Sequence, residues 1–252
     1  MTSGNRNLRD EIRDYWSDRA ATFDDDPGHR IGSDMLAWQA LFHRHLGDAN
    51  GRALLDLASG TGEIARLSQS LGFSVTGLDW SEPMLDRARA KLPDVSFLQA
   101  DAERTTLPSA SMDVIVTRHL VWTLVDPVAA FAEWFRVLRP GGSLLVVDGD
   151  FVSRSLLGRI VQRVLPRGSH SAIAAVNAAR HKDILSQVYF SAGARADHVA
   201  ALLHIAGFDR IEIDTNLAPI HRAQLAQLGW RKSLLRRSEH RYAISATKPL
   251  NL

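Results

Sequence analysis

Apolar and polar positions follow two regimes along the chain. Between residues 8 and 47 the apolar side chains recur at helical spacing. Leu8, Ile12, Tyr15, Trp16 and Phe23 share a stripe while arginines and carboxylates fill the other face, which predicts an amphipathic helix. Three aspartates followed by Pro27 and Gly28 end it, because proline then glycine cannot continue a helix. A second helix is expected from about Ser33, a candidate N-cap, to Leu46. From Arg52 onward, short apolar runs closed by small or acidic residues replace the stripe. Strands are expected over 53–57, 73–78, 95–98, 113–117 and 143–147, and helices over 63–71, 81–91 and 127–138. Runs that are apolar on both faces, alternating with helices, indicate a parallel sheet covered on both sides. After Asp148 the alternation breaks, then resumes with a helix over 196–205, a stop at Gly207, and strands over 208–214 and 241–247.

The picture is one α/β domain over 1–252: a helical N-terminal segment (1–50), a core (51–148), a helical insertion (149–195) and a C-terminal helix with strands (196–252). Composition narrows the function classes. With 45% apolar and 23% charged residues the chain is ordinary globular material. It has no cysteine, which removes disulfides, thiolate metal sites and a cysteine nucleophile, and fits a cytoplasmic setting. His43 and His45 diverge on one helix, so no metal site is expected. The opening residues lack an apolar run, and nothing approaches the ~18 apolar residues of a membrane span, so neither a signal peptide nor a span is expected. Thirty basic against 28 acidic side chains give a net charge of +2, too small to make polyanion binding the default.

The candidate chemistry starts at Ala58-Ser59-Gly60-Thr61-Gly62, where a strand exits through small residues into a helix. Such a turn lets a ligand approach the main chain, and serves phosphates, dinucleotides or tight packing alike. Asp79 ends the next strand 19 residues after Gly60, a place from which a carboxylate can accept from both hydroxyls of a ribose. That geometry also serves a nicotinamide dinucleotide, although Ala65 stands where a third glycine would favour a pyrophosphate. Asp101 follows the third strand, where an adenine amine needs an acceptor.

These blocks, with Met112 to Thr117 and the run Leu138-Arg139-Pro140-Gly141-Gly142-Ser143, resemble in order and spacing the class I S-adenosylmethionine-dependent methyltransferases of the small-molecule, type 11 kind. The resemblance is continuous from about Leu54 to Asp148. It implies a Rossmann-like seven-stranded sheet, mostly parallel with the last strand antiparallel and helices on both faces, and S-adenosylmethionine as cofactor. It places Ala58, Ser59 and Gly60 against the methionine, Asp79 on the ribose, and Trp80 and Met84 beside the adenine. Asp101 and Ala102 then read the adenine edge, Glu103 borders it, and Thr117 offers its carbonyl to the amino group. The family often has glycine where this chain has Ala58.

Methyl transfer from a sulfonium is an in-line displacement in which alignment does most of the work, and a base helps where the nucleophile is protonated. His119, after the fourth strand, is the candidate base. Arg19, Arg118 and Trp122 are the substrate candidates. The resemblance implies a lid over the cofactor from the first helix, for which Tyr15 with Trp16, Arg19 and Phe23 are candidates, the alternative being that these rings anchor the helix on the sheet. The segment 151–182 carries six basic residues and no acid, and is read as a substrate cap, a solvated face, a membrane-surface contact or a homodimer contact. The last 32 residues are also basic, but the tetrad of amino-methylating nucleic-acid enzymes is missing after strand four, so no nucleic acid is expected. The expectation is a methyltransferase acting on a small molecule. The alternatives are a cofactor-binding regulatory domain and a nicotinamide-dependent oxidoreductase.

Overall fold

The computed structural model describes residues 3–26, 28–152, 172–225 and 240–251. Of the basic residues expected in 151–182, Arg154, Arg159, Arg163 and Arg167 lie outside the described residues, as do Arg231, Lys232, Arg236 and Arg237. Seven strands, β1 (Ala53–Leu57), β2 (Ser74–Asp79), β3 (Ser96–Gln99), β4 (Met112–Arg118), β5 (Leu138–Asp150), β6 (Asp209–Asp214) and β7 (His240–Thr247), form a sheet ordered β3-β2-β1-β4-β5-β7-β6. The first five run parallel, and β7 enters antiparallel between β5 and β6. The described helices are α1 (Ser3–Arg19), α2 (Met35–Leu46), α3 (Glu63–Ser70), α4 (Glu82–Lys91), α5 (Pro127–Val137), α6 (Ala172–Gln187), α7 (Ala196–Ile205) and α8 (Ala218–Leu225), with a 3₁₀ turn over Ala20–Asp25.

The central strands are apolar on both faces because both are covered. Leu55 and Leu57 of β1 pack with Ile115, Leu144, Phe131 and Trp134 on one side. Leu54 packs with Val114, Leu145, Trp38 and Phe42 on the other. Each such side chain, fully removed from water, contributes about 1.5–3 kcal/mol. Trp134 also donates Nε1–H to the Ala102 carbonyl at 2.8 Å, which pins the loop after β3 to α5.

Three local expectations are corrected. Ser33 is not the cap of α2: Asp34 flanks the helix, accepting from Gly32 N–H at 2.9 Å, Trp38 Nε1 at 2.9 Å and Gln224 Nε2 at 2.7 Å, while Ser33 Oγ donates to the Ala223 carbonyl. β5 outruns 143–147 at both ends, since Leu138 pairs with Met112 and residues 148–150 pair with Tyr242, Arg241 and His240. Helix α8 was not anticipated; Leu217 just before it and Ile220 within it pack into the α2 side of the core.

A roof of α1 and α6 spans the carboxyl ends of the parallel strands. Leu8, Ile12 and Tyr15 pack against Ile184 of α6 and Val188 just after it, and Arg180 donates to Asp18 at 2.8 Å. Arg9 reaches down to Glu103, and Ser17 Oγ donates to Ser81 Oγ at 2.9 Å. The 3₁₀ turn is tied to the glycine-rich loop by Thr61 Oγ1, which donates to Asp24 at 2.6 Å, and to α4 by Lys91, 2.8 Å from Asp24.

Candidate active site

The turn after β1 takes its shape from left-handed residues: Ala58 at φ +59°, Gly60 at +52° and Gly62 at +86°. Alanine at such an angle is strained by about 1–2 kcal/mol. Asp79 braces the turn from β2, its Oδ2 accepting from Gly60 N–H at 2.8 Å and its Oδ1 from Ser81 N–H at 2.9 Å. Burial raises its pKa, and the amides of Ser81, Gly60 and Trp80 restrain the rise.

Above this turn lies a cavity of about 440 Å³, roofed by α1 and α6 and floored by the strand ends. Its position outside the carboxyl ends of a parallel sheet is where ligands of open α/β folds bind, and its size suits a cofactor-sized molecule. One half is acidic and polar, with Asp56, Ser59, Asp79 and Asp101 beside Trp80 and Met84. The other half is a contiguous aromatic run, Phe23–Trp16–Trp122–Phe151, with arginines and histidines also on the wall and its Phe23 end reaching the glycine turn. Trp122 meets Trp16 and Phe151 edge to face at 6.1 and 5.9 Å.

Polar atoms buried on the cavity wall without a hydrogen-bond partner include Asp56 Oδ2, Ser59 Oγ and Trp122 Nε1. Orphans of this kind are rare in native structures, and on the wall of a cavity they are atoms a bound molecule or ordered water can satisfy. Asp56 sits wholly inside on β1, and burial, reinforced by the charge of Asp79, pushes its carboxyl up to about 8. The hydrogen-bond acceptors of this half suit a ligand bearing hydroxyls, an amine and an ammonium. A diphosphate would place its charges against Asp56 and Asp79. An adenosine joined to an amino acid therefore fits the residues present.

Ala58, Ser59, Gly60, Asp79, Trp80, Met84, Asp101, Ala102, Glu103, Arg19, Arg118, His119 and Trp122 all line this one cavity. Tyr15 and Thr117 do not. Tyr15 is turned into the α1–α6 contact, where its hydroxyl accepts from Arg19 at 2.9 Å. Thr117 is fully buried, and its hydroxyl donates to the Leu57 carbonyl at 2.8 Å. Glu103 reaches the wall with both oxygens engaged: Oε2 holds Arg9, and Oε1 accepts from Val125 N–H at 2.7 Å and Asp126 N–H at 3.2 Å. Arg118 lies over the Trp38 ring at 4.9 Å and donates to the carbonyls of Gly28 and His29. His119 adopts φ +60° with its ring 5.4 Å from Phe151.

Sequence reasoning missed Asp56, His29, His181 and Arg9. Asp56 had a signal, a lone carboxylate inside an otherwise apolar strand. His29 follows a proline-glycine pair and looks like loop material. His181 stands between Tyr15 and Trp122, with ring centroids at 5.7 and 5.2 Å, and burial followed by the charge of Arg19 holds its pKa low.

Comparison with known proteins agrees with this geometry. Residues 55–146 match the family model described as a methyltransferase domain. A demethylmenaquinone methyltransferase of Lactococcus lactis is 37% identical over 119 residues, 44% of this chain and 47% of that protein, so the chain spans about half of that relative. A demethylmenaquinone methyltransferase of Renibacterium salmoninarum is 31% identical over 160 residues, covering 58% of this chain and 67% of that protein. Among solved structures, an S-adenosylmethionine-dependent methyltransferase of Mesorhizobium loti superposes with a TM-score of 0.59 at 21% identity, over 86% of this chain and 98% of that one.

Proposed function

Because the chain belongs to the class I S-adenosylmethionine-dependent methyltransferases, we propose that it transfers a methyl group from that cofactor to a small, largely apolar acceptor with a planar ring. The observation that carries this reading is one cavity whose wall combines carboxylates, with orphaned Asp56 Oδ2 and Ser59 Oγ, and an aromatic run through Trp16, Trp122 and Phe151. When bound, the cofactor supplies an activated methyl on a sulfonium. Asp79 and Asp101 would hold the adenosine by its hydroxyls and amine, and Asp56 would pair with the ammonium of the methionine. Trp16, Trp122 and Phe151 exclude water and orient the ring, so the chain's own contribution is largely alignment.

The relatives named for demethylmenaquinone support a quinol-type acceptor. The proposal also includes α1 and α6 as a cap over the acceptor, a cytoplasmic setting in keeping with the cysteine-free chain, and a homodimer. Among the described residues no helix is long and apolar enough to cross a membrane. The test is incubation with methyl-labelled S-adenosylmethionine and 1,4-naphthalenediol kept reduced by dithiothreitol. Label in the naphthalene product supports the proposal. Binding of S-adenosylhomocysteine without transfer to this or any other planar acceptor would make the chain a regulatory domain.

A further inference from the structure

The aromatic half of the cavity holds an imidazole restrained from three directions. His29 follows Gly28 in the loop beneath the roof and lines the cavity. Its ring stacks on Phe23 with centroids 4.0 Å apart and planes inclined by 8°. Its Nδ1 lies 2.7 Å from the Phe23 carbonyl. A carbonyl can only accept, so Nδ1 carries the proton and Nε2 keeps its lone pair. The backbone is held as firmly: Arg118 donates to the carbonyls of both Gly28 and His29 and is itself packed on Trp38. Two residues further on, α3 grips the chain through Glu63, which accepts the Ile31 N–H at 2.9 Å.

The stack also has a definite place over the floor. A methyl group built on Gly60 would touch Phe23 at 3.8 Å, so the Phe23 end of the stack reaches the glycine turn. That is the end of the cavity where the methionine portion of the cofactor is assigned. A neutral imidazole with a fixed tautomer, in the same cavity as the residues that would hold the cofactor, is what a protonated acceptor needs.

Resting on the methyltransferase reading, we infer that His29 is the general base of the reaction, its Nε2 removing the hydroxyl proton of a ring acceptor. The proton passes from the hydroxyl to Nε2. The oxygen's electron pair forms the new bond to the methyl carbon as the methyl–sulfur bond breaks, its pair leaving on sulfur. The imidazolium then returns the proton to solvent. Where a conjugated ring carbon takes the methyl instead, the same ionisation supplies the charge, and the displaced ring proton returns to the oxygen. Either way one proton is released per turnover. Arg118 is a positioning residue in this scheme, acting through the His29 backbone.

The surroundings keep the base neutral. Burial is the main cause that lowers the His29 pKa, and the charges of Arg118 on β4 and Arg19 on α1 lower it further. The hydrogen bond with Phe23 and the charge of Asp26 oppose them. Glu63 is paired with Arg66 at 3.0 Å and Lys91 at 3.3 Å, which leaves its charge compensated.

Calorimetry with S-adenosylhomocysteine comes first, because failure of the wild type to bind it removes the methyltransferase reading and this inference together. His29→Asn keeps a donor for the Phe23 carbonyl and removes Nε2. It should bind S-adenosylhomocysteine about as tightly as the wild type, yet turn over 1,4-naphthalenediol about 100-fold more slowly. Wild-type kcat/KM should rise with pH to an inflection below 6.5, and His29→Asn should lack that inflection. In the S-adenosylhomocysteine complex with ring-¹⁵N-labelled histidine, His29 should show a protonated Nδ1 and a bare Nε2 whose resonance shifts when the diol is added. Three results overturn the inference: turnover in His29→Asn close to wild type, equal loss of cofactor affinity and turnover, or an Nε2 that is protonated or indifferent to the diol.

Discussion

Asp56→Asn separates what the cavity does for stability from what it does for binding. In the unfolded chain this carboxyl titrates near 3.8, whereas burial on β1 pushes it up to about 8 in the folded one. Between those values folding takes up a proton, so the wild type loses stability as pH rises from about 4 and levels off only above about 8. At pH 7 the loss amounts to roughly 4 kcal/mol, from about three pH units above the unfolded value at 1.36 kcal/mol each. Asparagine does not titrate and escapes that loss, but its amide N–H group, placed where Oδ2 has no partner, costs about 1–3 kcal/mol. Asp56→Asn should therefore be about 1–3 kcal/mol more stable than wild type at pH 7 and less stable near pH 4. Urea unfolding of the ligand-free proteins across this range measures the difference, which isolates Asp56 from the other buried acids. The same variant should bind S-adenosylhomocysteine at least about tenfold more weakly, since a buried charged contact is worth about 1.5–3 kcal/mol. Parallel pH–stability curves for the two proteins would refute the reasoning.

Other substitutions test the framework around the cavity. Arg9→Met strands the buried Glu103 carboxylate, and urea unfolding at pH 7 should show a loss of about 3–5 kcal/mol, with weaker S-adenosylhomocysteine binding as α1 loosens. Trp134→Phe removes the hydrogen bond to Ala102 and leaves a small void, so thermal unfolding should report a loss of about 2–4 kcal/mol. Ala58→Gly should stay within about 1 kcal/mol of wild type, because relief of the left-handed strain is offset by backbone entropy. Ala58→Val, with a branched Cβ at the same angle, should lose more than 2 kcal/mol by the same assay, roughly the upper end of that strain.

The strands of the cofactor half were legible because each is a local pattern. Predominantly apolar runs such as 54–57, interrupted by Asp56 alone, and 144–147 admit few alternatives once they alternate with helices, and the small residues at 58–62 mark a strand exit by composition alone. Asp79 and Asp101 could be read from their places at strand ends. What escaped depends on contacts between distant segments. Arg9 meets Glu103 across 94 positions, and Thr61 meets Asp24 across 37. No spacing rule signals such pairs. The direction of Tyr15 was equally hidden: on a helix with aromatic residues side by side, only the docking of α6 decides that Trp16 faces the cavity and Tyr15 the helix contact. His29 has no periodicity to betray it, since its role comes from a carbonyl, a ring and an arginine brought together by the fold.

The central claim is that an adenosine joined to an amino acid fills the acid-lined half of the cavity. Isothermal titration with S-adenosylhomocysteine at pH 7, repeated in buffers of different ionisation enthalpy, tests it most directly. One ligand should bind per chain with release of a proton from Asp56 as the ammonium arrives, and NADH should give no heat. Tight binding of NADH, or S-adenosylhomocysteine binding with no proton released, would contradict the account.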